Sequence, residues 1–418
     1  MSAIKFPSSS SSSSAIALHF GGGNIGRGLI GPVLSRAGFH LVFADVAEDL
    51  VNRLNTQGQY DIHILSNDEL QLETVKPVSA VLSTDMKAIE QIAKGPLSII
   101  TTAVGPNVLP KLAKPLAQII RTRMEAKMGP INVVACENLQ HATDILRDSI
   151  MKELSEEKER LYTQDHIGFA VCSVDRIALP ITSENHLDVG VEPFFEWTVD
   201  SKSLKKTDPD VIIDGMHDNL DAYVQRKLFT VNTGHAITAY LGFLHKKDTI
   251  IESITDNNIR LIVSEALQES GTALIETYRP FFTSEQHSEF IQKILNRFSN
   301  RHIHDQVSRV GREPLRKLRR GERLLGPVEM CKEKNLKRDS LLSGFAAALL
   351  FHPTHVSDDE HEQNEDQEAT ELQERISRDG VQRVVGELTG WSGDDEDLRK
   401  VVRKYDEFKE SLVVSNTR

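Results

Sequence analysis

The first half of the chain alternates between short apolar runs and stretches in which apolar residues recur with helical spacing. A short apolar run is typical of a buried strand, and apolar residues at i, i+3 and i+4 indicate a helix. Apolar runs predict strands at 15–20, 40–46, 97–105, 131–138 and 168–177. Strands that alternate with helices predict an α/β fold with a doubly wound parallel sheet.

From about residue 216 the pattern changes to long amphipathic stretches with few strand signals. Helical spacing of apolar residues covers 221–244, 257–278, 288–299 and 397–412. We therefore expect a mainly α-helical C-terminal domain over 216–418, after a sheet domain over 15–215.

Two segments of low apolar content lie outside this pattern. Residues 1–14 include a pure serine tract and predict a disordered leader. Residues 357–374 are strongly acidic and weakly apolar, which predicts a mobile segment before the last helices.

The turn after the first predicted strand carries glycines at the spacing G-x-G-x-x-G. In a Rossmann-type domain the first glycine allows a tight turn, the second lets the backbone approach a pyrophosphate, and the third lets helix and strand pack closely. The helix N-terminus adds unpaired N–H groups and a partial positive charge. The alternative is a glycine-rich turn without a ligand. The dinucleotide interpretation assigns cofactor binding to Gly21, Gly22, Gly23, Asn24, Ile25 and Gly26.

An acidic residue, Asp45, ends the second predicted strand, where its carboxylate can accept hydrogen bonds from the adenosine ribose. A 2′-phosphate would be repelled there, and residues 46–48 include no arginine to offset the repulsion. NAD is therefore predicted over NADP. Ala103, Val104 and Gly105 end a later strand, where the nicotinamide half usually rests. A proline–glycine turn is the alternative interpretation of that segment.

A lysine, an asparagine and a histidine occur within one short, otherwise apolar segment of the second half. At about 100° per residue in an α-helix, Asn232 lies about 140° and His235 about 80° around from Lys227, so all three can face one side. Partial desolvation lowers the pKa of a lysine and lets it accept a proton near neutral pH. The alternative is a surface lysine, a capping asparagine and a core histidine.

Composition narrows the function classes. The net charge of −12 argues against a nucleic-acid partner, and an acidic protein with an anionic substrate needs a local basic cluster, which 309–327 supplies. No apolar run reaches membrane-spanning length, and the N-terminal residues lack the order of a secretory signal. The three cysteines have no zinc spacing and suit a reducing compartment. We expect a cytoplasmic protein with neither metal nor membrane partner.

Six separated motifs then carry a resemblance: 21–28 with Asp45, 135–144, 174–177, 192–197, 227–236 and 309–318. Together they resemble the polyol-specific long-chain dehydrogenases, from about residue 15 to about residue 351. Within that family they are most similar to the mannitol-1-phosphate 5-dehydrogenases. The resemblance implies a metal-independent, NAD-dependent enzyme that interconverts mannitol 1-phosphate and fructose 6-phosphate.

The resemblance also implies roles for individual residues. The family signature K-x-x-x-x-N-x-x-H matches at Lys227, Asn232 and His235. The lysine would act as general acid/base, and the amides of Asn138 and Asn232 would hold the oxygen while it carries negative charge. The histidine would bind a substrate hydroxyl or orient the lysine.

Substrate binding is implied for Asp175, Arg309 and Lys317, which match family positions that reach the substrate. Alternatives are a sibling enzyme acting on an unphosphorylated polyol, such as a mannitol 2-dehydrogenase, a hexuronate reductase, or a non-catalytic NAD-binding protein. The expected partner is a small sugar phosphate or polyol phosphate, and a monomer is expected because no dimerisation signal occurs in the sequence.

Overall fold

The computed structural model describes residues 15–67, 69–139, 141–207, 216–217, 220–303, 305–352 and 366–416. The predicted leader, 1–14, lies outside the described residues. The chain divides into two units, Met1–Leu220 and Asp221–Arg418. This division lies close to the boundary that the sequence predicts at residue 216.

The first unit combines three sheets with short helices. Its strands are β1 (Ile16–Phe20), β2 (His40–Asp45), β3 (Tyr60–Leu65), β4 (Leu70–Val75), β5 (Val78–Leu82), β6 (Leu97–Thr102), β7 (Ile131–Ala135), β8 (Ile167–Phe169), β9 (Cys172–Asp175), β10 (Ala178–Pro180), β11 (Val189–Val191), β12 (Glu196–Asp200) and β13 (Met216–His217). Its helices are α1 (Gly31–Arg36), α2 (Glu48–Gln57), α3 (Met86–Ala93), α4 (Ala113–Glu125), α5 (Ala142–Glu153) and α6 (Glu157–His166), with a π-helical turn at Gly26–Ile30 and 3-10 turns at Leu109–Leu112 and Ser201–Ser203.

The central sheet has the order β5-β2-β1-β6-β7-β8, and every pair in it is parallel. All residues of β1 and β7 are buried, because helices cover both faces of the sheet and build an apolar core on each. The strand order reverses between β1 and β6, and in such sheets the carboxyl ends at the reversal form a ligand crevice. The predicted doubly wound parallel sheet is confirmed.

The prediction of one continuous strand over 168–177 is wrong. The chain leaves the central sheet after β8, and β9 pairs antiparallel with β12 in a separate three-stranded sheet. The change of partner occurs at residues 170–171, where the Ala170 N–H donates to Val133 and the Val171 carbonyl accepts from Asp200. An apolar run carries no information about which strand its backbone pairs with, so the break was not visible in the sequence.

A four-stranded sheet of order β10-β11-β3-β4 was also missed. Its strands are short, and β3 and β4 form an antiparallel pair with only one side partly buried. The predicted strands at 97–105 and 131–138 are shorter than expected and end at Thr102 and Ala135. The residues beyond each strand form loops at the carboxyl edge of the central sheet.

The second unit is helical, as predicted. It contains α7 (Leu220–Arg226), a π-helical segment (Lys227–Asn232), α8 (Thr233–Leu244), α9 (Ile250–Thr255), α10 (Asn257–Thr277), α11 (Ser284–Phe298), α12 (Val307–Gly311), α13 (Pro314–Lys317), α14 (Leu325–Glu333), α15 (Asp339–Ala348), α16 (Gln367–Asp379), α17 (Val381–Thr389) and α18 (Glu396–Asn416).

Helix α8 is the centre of this unit and packs against α10 and α15. It is buried on nearly all sides, and one glycine of α8 and one of α15 let neighbouring helices approach closely. A β-carbon at Gly242 would lie 2.1 Å from Ser253 Oγ, and one at Gly344 would lie 2.5 Å from Ile237 Cγ1. The segment just before α8 is therefore anchored to a tightly packed helix.

Part of the predicted mobile segment, residues 367–374, is helical in the structure. Helix α16 begins at Gln367, and its first turn binds the segment around α13. Asp366 accepts a hydrogen bond from the backbone N–H of Glu313 (3.0 Å), and Glu368 accepts one from that of Arg316 (2.8 Å). These carboxylates have backbone donors as partners, which the acidic composition did not reveal. Residues 357–365 lie outside the described residues.

Candidate functional site

The glycine turn after β1 is closed on its inner side and open on its outer side. Gly21 has φ +101°, and a β-carbon there would lie 2.4 Å from the Ala103 carbonyl oxygen. A β-carbon at Gly26 would lie 2.1 Å from the carbonyl oxygen of Gly21. At Gly23, which is exposed, it would meet nothing within 4 Å. The turn can therefore bring backbone N–H groups close to an anion on that open side.

Asp45 orders this turn directly. Its carboxylate accepts hydrogen bonds from the backbone N–H groups of Gly22 (2.6 Å) and Ala47 (2.9 Å). Each carboxylate oxygen has a further lone pair, so the same group can also accept from a ribose hydroxyl. The next residue, Val46, is 79% exposed and presents an apolar side chain beside this carboxylate. The predicted cofactor residues around Gly22 and Asp45 thus lie together.

Two arginines and a tyrosine hold the carbonyl groups of the turn. Arg27 donates to Gly22 O (2.7 Å) and to Leu187 O, and Tyr60 donates its hydroxyl to Arg27 O (2.8 Å). Arg176, from the predicted substrate motif at 174–177, donates to Gly28 O (2.9 Å). Burial lowers the pKa of Arg176 to about 10. This part of the motif therefore supports the turn from within the fold.

A buried histidine, His19, lies beneath the turn. Its Nδ1 is 2.7 Å from Thr101 Oγ1, and a β-carbon at Gly26 would lie 2.7 Å from its Nε2. Burial lowers the pKa of His19 to about 3, so the ring is neutral at physiological pH. Sequence reasoning missed this residue, although it is the one polar side chain in an otherwise apolar strand.

The predicted nicotinamide segment is held by another residue that sequence reasoning missed, Glu137. Its buried carboxylate accepts from Thr102 Oγ1, Val104 N and Gly105 N, each at 2.9 Å. The signal available in the sequence was an acidic residue directly after an apolar strand. Glu137 fixes the segment that follows β6, next to the glycine turn.

The two remaining predicted residues of the first unit differ in exposure. Asn138 follows Glu137 and is exposed, so its amide is available to a ligand. Asp175 is the last residue of β9, opposite Glu196 of β12, and is buried.

In the second unit, Lys227 and Asn232 are the two ends of the π-helical segment. The sequence predicts an α-helix here, and that detail is wrong. Because a π-helical hydrogen bond joins residue i to residue i+5, its turn is wider than an α-helical turn. Asn232 is therefore closer to the face of Lys227 than the predicted 140°. Lys227 and Asn232 are both partly buried.

Hydroxyl groups satisfy the backbone of this wide turn. Ser270 of α10 donates to Phe229 O (2.7 Å). The Thr233 hydroxyl lies 2.7 Å from Arg323 O and 3.1 Å from Leu228 O, and its one proton can be donated to either carbonyl. Mid-helix π turns occur frequently at functional sites, which agrees with the signature residues found here.

His235 lies one turn further, at the start of α8, and its ring is fixed on two sides. It stacks on Phe298 with ring centroids 5.1 Å apart and planes 17° from parallel. Its Nε2 is 3.1 Å from Asp305 Oδ2. Burial lowers the pKa of His235, and this effect outweighs the opposing influence of Asp305, so the imidazole is neutral at pH 7.

Arg309 shares the same carboxylate. Its Nε donates to Asp305 Oδ1 (2.7 Å), and 57% of its side chain remains exposed. Burial alone would raise the pKa of Asp305, but its neighbours His235 and Arg309 lower it below its usual value. The structure thus brings His235 and Arg309 together through Asp305, which sequence reasoning did not single out.

Lys317 is buried and points to backbone. Its Nζ donates to Val310 O (2.7 Å) and to Arg312 O, and burial lowers its pKa to about 7. Its described contacts hold the loop between α12 and α13.

The rest of the basic cluster is partly neutralised by local acids. The pairs are Arg316 with Glu313 (2.7 Å), Arg320 with Glu329 (2.8 Å) and Arg323 with Glu322 (3.3 Å). The exposed pair of Arg316 with Glu313 contributes little to stability, but all three pairs reduce the positive charge that the cluster offers to an anion.

The described part of the chain was compared with what a metal site, a membrane span or a disulfide requires. No group of three or more histidine, cysteine, aspartate or glutamate side chains is arranged there to hold a metal ion. None of the described helices has both the length and the apolar content to cross a bilayer. The three cysteines are buried and unpaired with one another.

The backbone is similar to two solved dehydrogenases. One is a D-sorbitol dehydrogenase in substrate-free form, with a TM-score of 0.80 and 15% identity, covering 96% of this chain and 94% of that chain. The other is mannitol 2-dehydrogenase from Pseudomonas fluorescens in a ternary complex with NAD and D-mannitol, with a TM-score of 0.67 and 16% identity, covering 97% and 95%. At these identities the likeness shows a shared fold.

Family models match both halves of the chain. Residues 15–213 match the mannitol dehydrogenase Rossmann domain, and residues 219–412 match the mannitol dehydrogenase C-terminal domain. The resemblance carried by the sequence motifs is confirmed at this level. Because the two matches together take in both units, the chain belongs to the mannitol dehydrogenase family.

Proposed function

We propose that this protein is an NAD-dependent oxidoreductase that interconverts D-mannitol 1-phosphate and D-fructose 6-phosphate. The observation that carries the proposal is the set Lys227, Asn232 and His235, held on a π-helical segment and the helix after it. Membership of the mannitol dehydrogenase family supports a polyol as the substrate class. The similar mannitol 2-dehydrogenase structure contains NAD and D-mannitol, which supports the same cofactor here.

The glycine turn fits the pyrophosphate of NAD. It is open at Gly23 and closed at Gly21 and Gly26, where any side chain would collide with backbone. Asp45 favours NAD because a 2′-phosphate would meet its carboxylate. NAD, when bound, accepts the hydride in polyol oxidation and supplies it in ketose reduction.

The chain's own residues handle the proton and the oxygen. The neutral amine of Lys227 takes the hydroxyl proton in oxidation, and the protonated amine returns it in reduction. Asn232, on the same segment, donates its amide N–H to the oxygen while negative charge develops there. By match to the family motif, Asn138 supplies a second amide donor. This scheme needs no metal ion.

The remaining predicted residues have supporting roles in substrate binding. We assign a substrate hydroxyl to His235 and a further one to Asp175. The exposed guanidinium of Arg309 suits the phosphate oxygens, because its planar donors match their geometry. Lys317 shapes the segment that follows Arg309. We expect a cytoplasmic protein that is a monomer. Light scattering after gel filtration would test the monomeric state.

A second candidate is the oxidation of an unphosphorylated polyol, as in a mannitol 2-dehydrogenase. The observation in its favour is that Arg316, Arg320 and Arg323 have carboxylate partners, which leaves less free positive charge for a phosphate. A hexuronate reductase would share the fold and the cofactor but take a carboxylated sugar. A non-catalytic NAD-binding protein would have no need of the signature residues, so their presence opposes it.

The deciding experiment is NADH oxidation with fructose 6-phosphate, fructose and uronates, each with and without chelator. We expect fructose 6-phosphate to have the highest kcat/KM and chelator to leave it unchanged. A preference for fructose or a uronate would replace the proposed substrate.

The lysine is tested with Lys227→Ala against Lys293→Ala, a matched change at an exposed position of α11. Lys227→Ala should abolish turnover and leave NADH affinity unchanged, and Lys293→Ala should change neither. Retained turnover in Lys227→Ala would rule out the assigned acid/base.

A further inference from the structure

The carboxylate of Asp305 joins two residues of the proposed substrate site. Its Oδ2 is 3.1 Å from His235 Nε2, and its Oδ1 accepts from Arg309 Nε at 2.7 Å. Asp305 itself is only 6% exposed. The three residues come from different parts of the chain: α8, the loop before α12, and α12.

The carboxylate determines which ring nitrogen of His235 carries the proton. Asp305 Oδ2 is buried and makes no hydrogen bond within the described residues, so its contact with His235 is the 3.1 Å approach to Nε2. An ionised carboxylate oxygen can only accept, so it attracts a proton on Nε2 and repels a lone pair there. The imidazole is neutral, and Nδ1 is then left as an acceptor. Stacking on Phe298 fixes the ring plane. The charged groups that face this ring are Asp305, Arg297 of α11 and Arg309 of α12.

We propose that Asp305 is a positioning residue that holds His235 in the Nε2–H tautomer and Arg309 in a fixed orientation. His235 then presents Nδ1 to a substrate hydroxyl as an acceptor. The part of this inference that concerns turnover rests on the proposed function, because His235 and Arg309 are assigned to substrate there. The part that concerns the tautomer does not depend on the proposed function, because it follows from the 3.1 Å contact and the neutral ring.

The variant Asp305→Asn tests this because it keeps the shape of the side chain while it removes the negative charge and replaces one acceptor oxygen by an amide donor. Arg309 has only donors, so it selects the amide oxygen of the new side chain. The amide NH₂ group then faces His235 Nε2, which can accept only without a proton. The proton of the ring must therefore move to Nδ1.

The first measurement is the tautomer of His235 from long-range ¹⁵N–¹H spectra of protein labelled with ¹⁵N-histidine. The spectrum of His235→Gln identifies the signal. We expect Nε2–H in the wild type and Nδ1–H in Asp305→Asn. A wild-type ring protonated at Nδ1, or an unchanged tautomer in Asp305→Asn, would overturn the inference.

The second measurement is kcat/KM for fructose 6-phosphate together with NADH affinity. Asp305→Asn should lower kcat/KM by about tenfold or more, the effect of removing the carboxylate partner of a metal-binding histidine, with NADH affinity unchanged.

The matched control is Asp397→Asn. Asp397 is a buried carboxylate in the same unit, 2.9 Å from Arg338 Nε and 3.2 Å from Lys332 Nζ. It should lose thermal stability but keep the tautomer, with kcat/KM within about twofold of wild type.

The outcomes separate this inference from the proposed function. If Asp305→Asn loses only as much kcat/KM as Asp397→Asn, Asp305 has a structural role and the positioning role is refuted. If the wild type turns over none of the sugars, the proposed function fails. The tautomer switch in Asp305→Asn would still support the assignment of Asp305, and its absence would still overturn it.

Discussion

Substituting single glycines of the turn should separate stability from cofactor binding. In Gly26→Ala the new β-carbon would lie 2.1 Å from the Gly21 carbonyl oxygen, whereas real β-carbons essentially never approach closer than 3.0 Å. The backbone must therefore shift by about 0.9 Å, the difference between these two distances. Overpacking of this kind costs about 1–3 kcal/mol. In Gly23→Ala the methyl group meets no protein atom within 4 Å, so stability should stay within about 0.5 kcal/mol.

The methyl group of Gly23→Ala instead occupies the side from which a pyrophosphate approaches. Loss of one hydrogen bond to a charged phosphate costs about 1.5–3 kcal/mol, which is about tenfold or more in Kd. Thermal unfolding measures the first effect, and a fall of several degrees is expected for Gly26→Ala. NADH fluorescence titration measures the second effect, with Gly129→Ala as the control, because a β-carbon at this exposed glycine outside the turn also meets nothing within 4 Å.

The reasoning is refuted if Gly23→Ala binds NADH as tightly as the wild type while remaining folded. It is equally refuted if Gly26→Ala unfolds at the wild-type temperature, because the backbone would then have absorbed the shift without cost. Lower affinity in Gly26→Ala alone is expected from distortion of the turn and decides nothing about where the phosphate lies, so the comparison depends on Gly23→Ala.

Three further predictions follow from named contacts. Glu137→Gln should raise the KM for NADH about tenfold and leave kcat close to wild type. One carboxylate oxygen becomes an NH₂ group, which cannot accept the hydrogen bond from the backbone N–H of Val104 or Gly105. An unchanged KM would show that this segment does not bind the cofactor. Ser270→Ala should lower kcat more than NADH affinity, because it removes the hydrogen bond from α10 to the Phe229 carbonyl, worth about 0.5–1.5 kcal/mol, and loosens the Lys227 segment. A loss of NADH affinity alone would contradict this. Burial lowers the pKa of Lys317 to about 7 in the folded protein, against 10.5 in the unfolded chain, so between these pH values the unfolded state binds one more proton. The free energy of unfolding of the wild type should therefore rise with pH across that window relative to Lys317→Met. Urea unfolding at pH 6, 7.5 and 9 measures this difference, and parallel pH curves for the two proteins would contradict it.

The local sequence pattern was sufficient to predict those parts of the fold that depend on contacts within a few residues. The spacing of Gly21, Gly23 and Gly26 predicts the turn because each glycine meets a different steric demand within a few residues. The signature lysine, asparagine and histidine were found for the same reason, since they lie within one segment.

Contacts between distant parts of the chain were not predictable in this way. Asp305 lies far along the sequence from His235, and no periodicity relates the two positions. Glu137 was overlooked because its partners, Val104 and Gly105, belong to a loop whose path depends on the sheet order. The break in the strand at 168–177 depends likewise on which neighbours its backbone finds.

The two π-helical segments explain why these regions of the candidate site were the hardest to predict in detail. A π-helical turn replaces the i→i+4 backbone hydrogen bonds with i→i+5 bonds, and here side chains from other elements add further donors to its carbonyls. In the first unit Tyr60 and Arg176 supply them to Arg27 O and Gly28 O. In the second, Ser270 supplies one to Phe229 O. Helical periodicity is a property of the local sequence, so it does not register the hydrogen bonds that a wide turn receives from elsewhere in the fold. The wide turns therefore belong to the tertiary structure, and substitutions at their distant donors should change function without touching any signature residue.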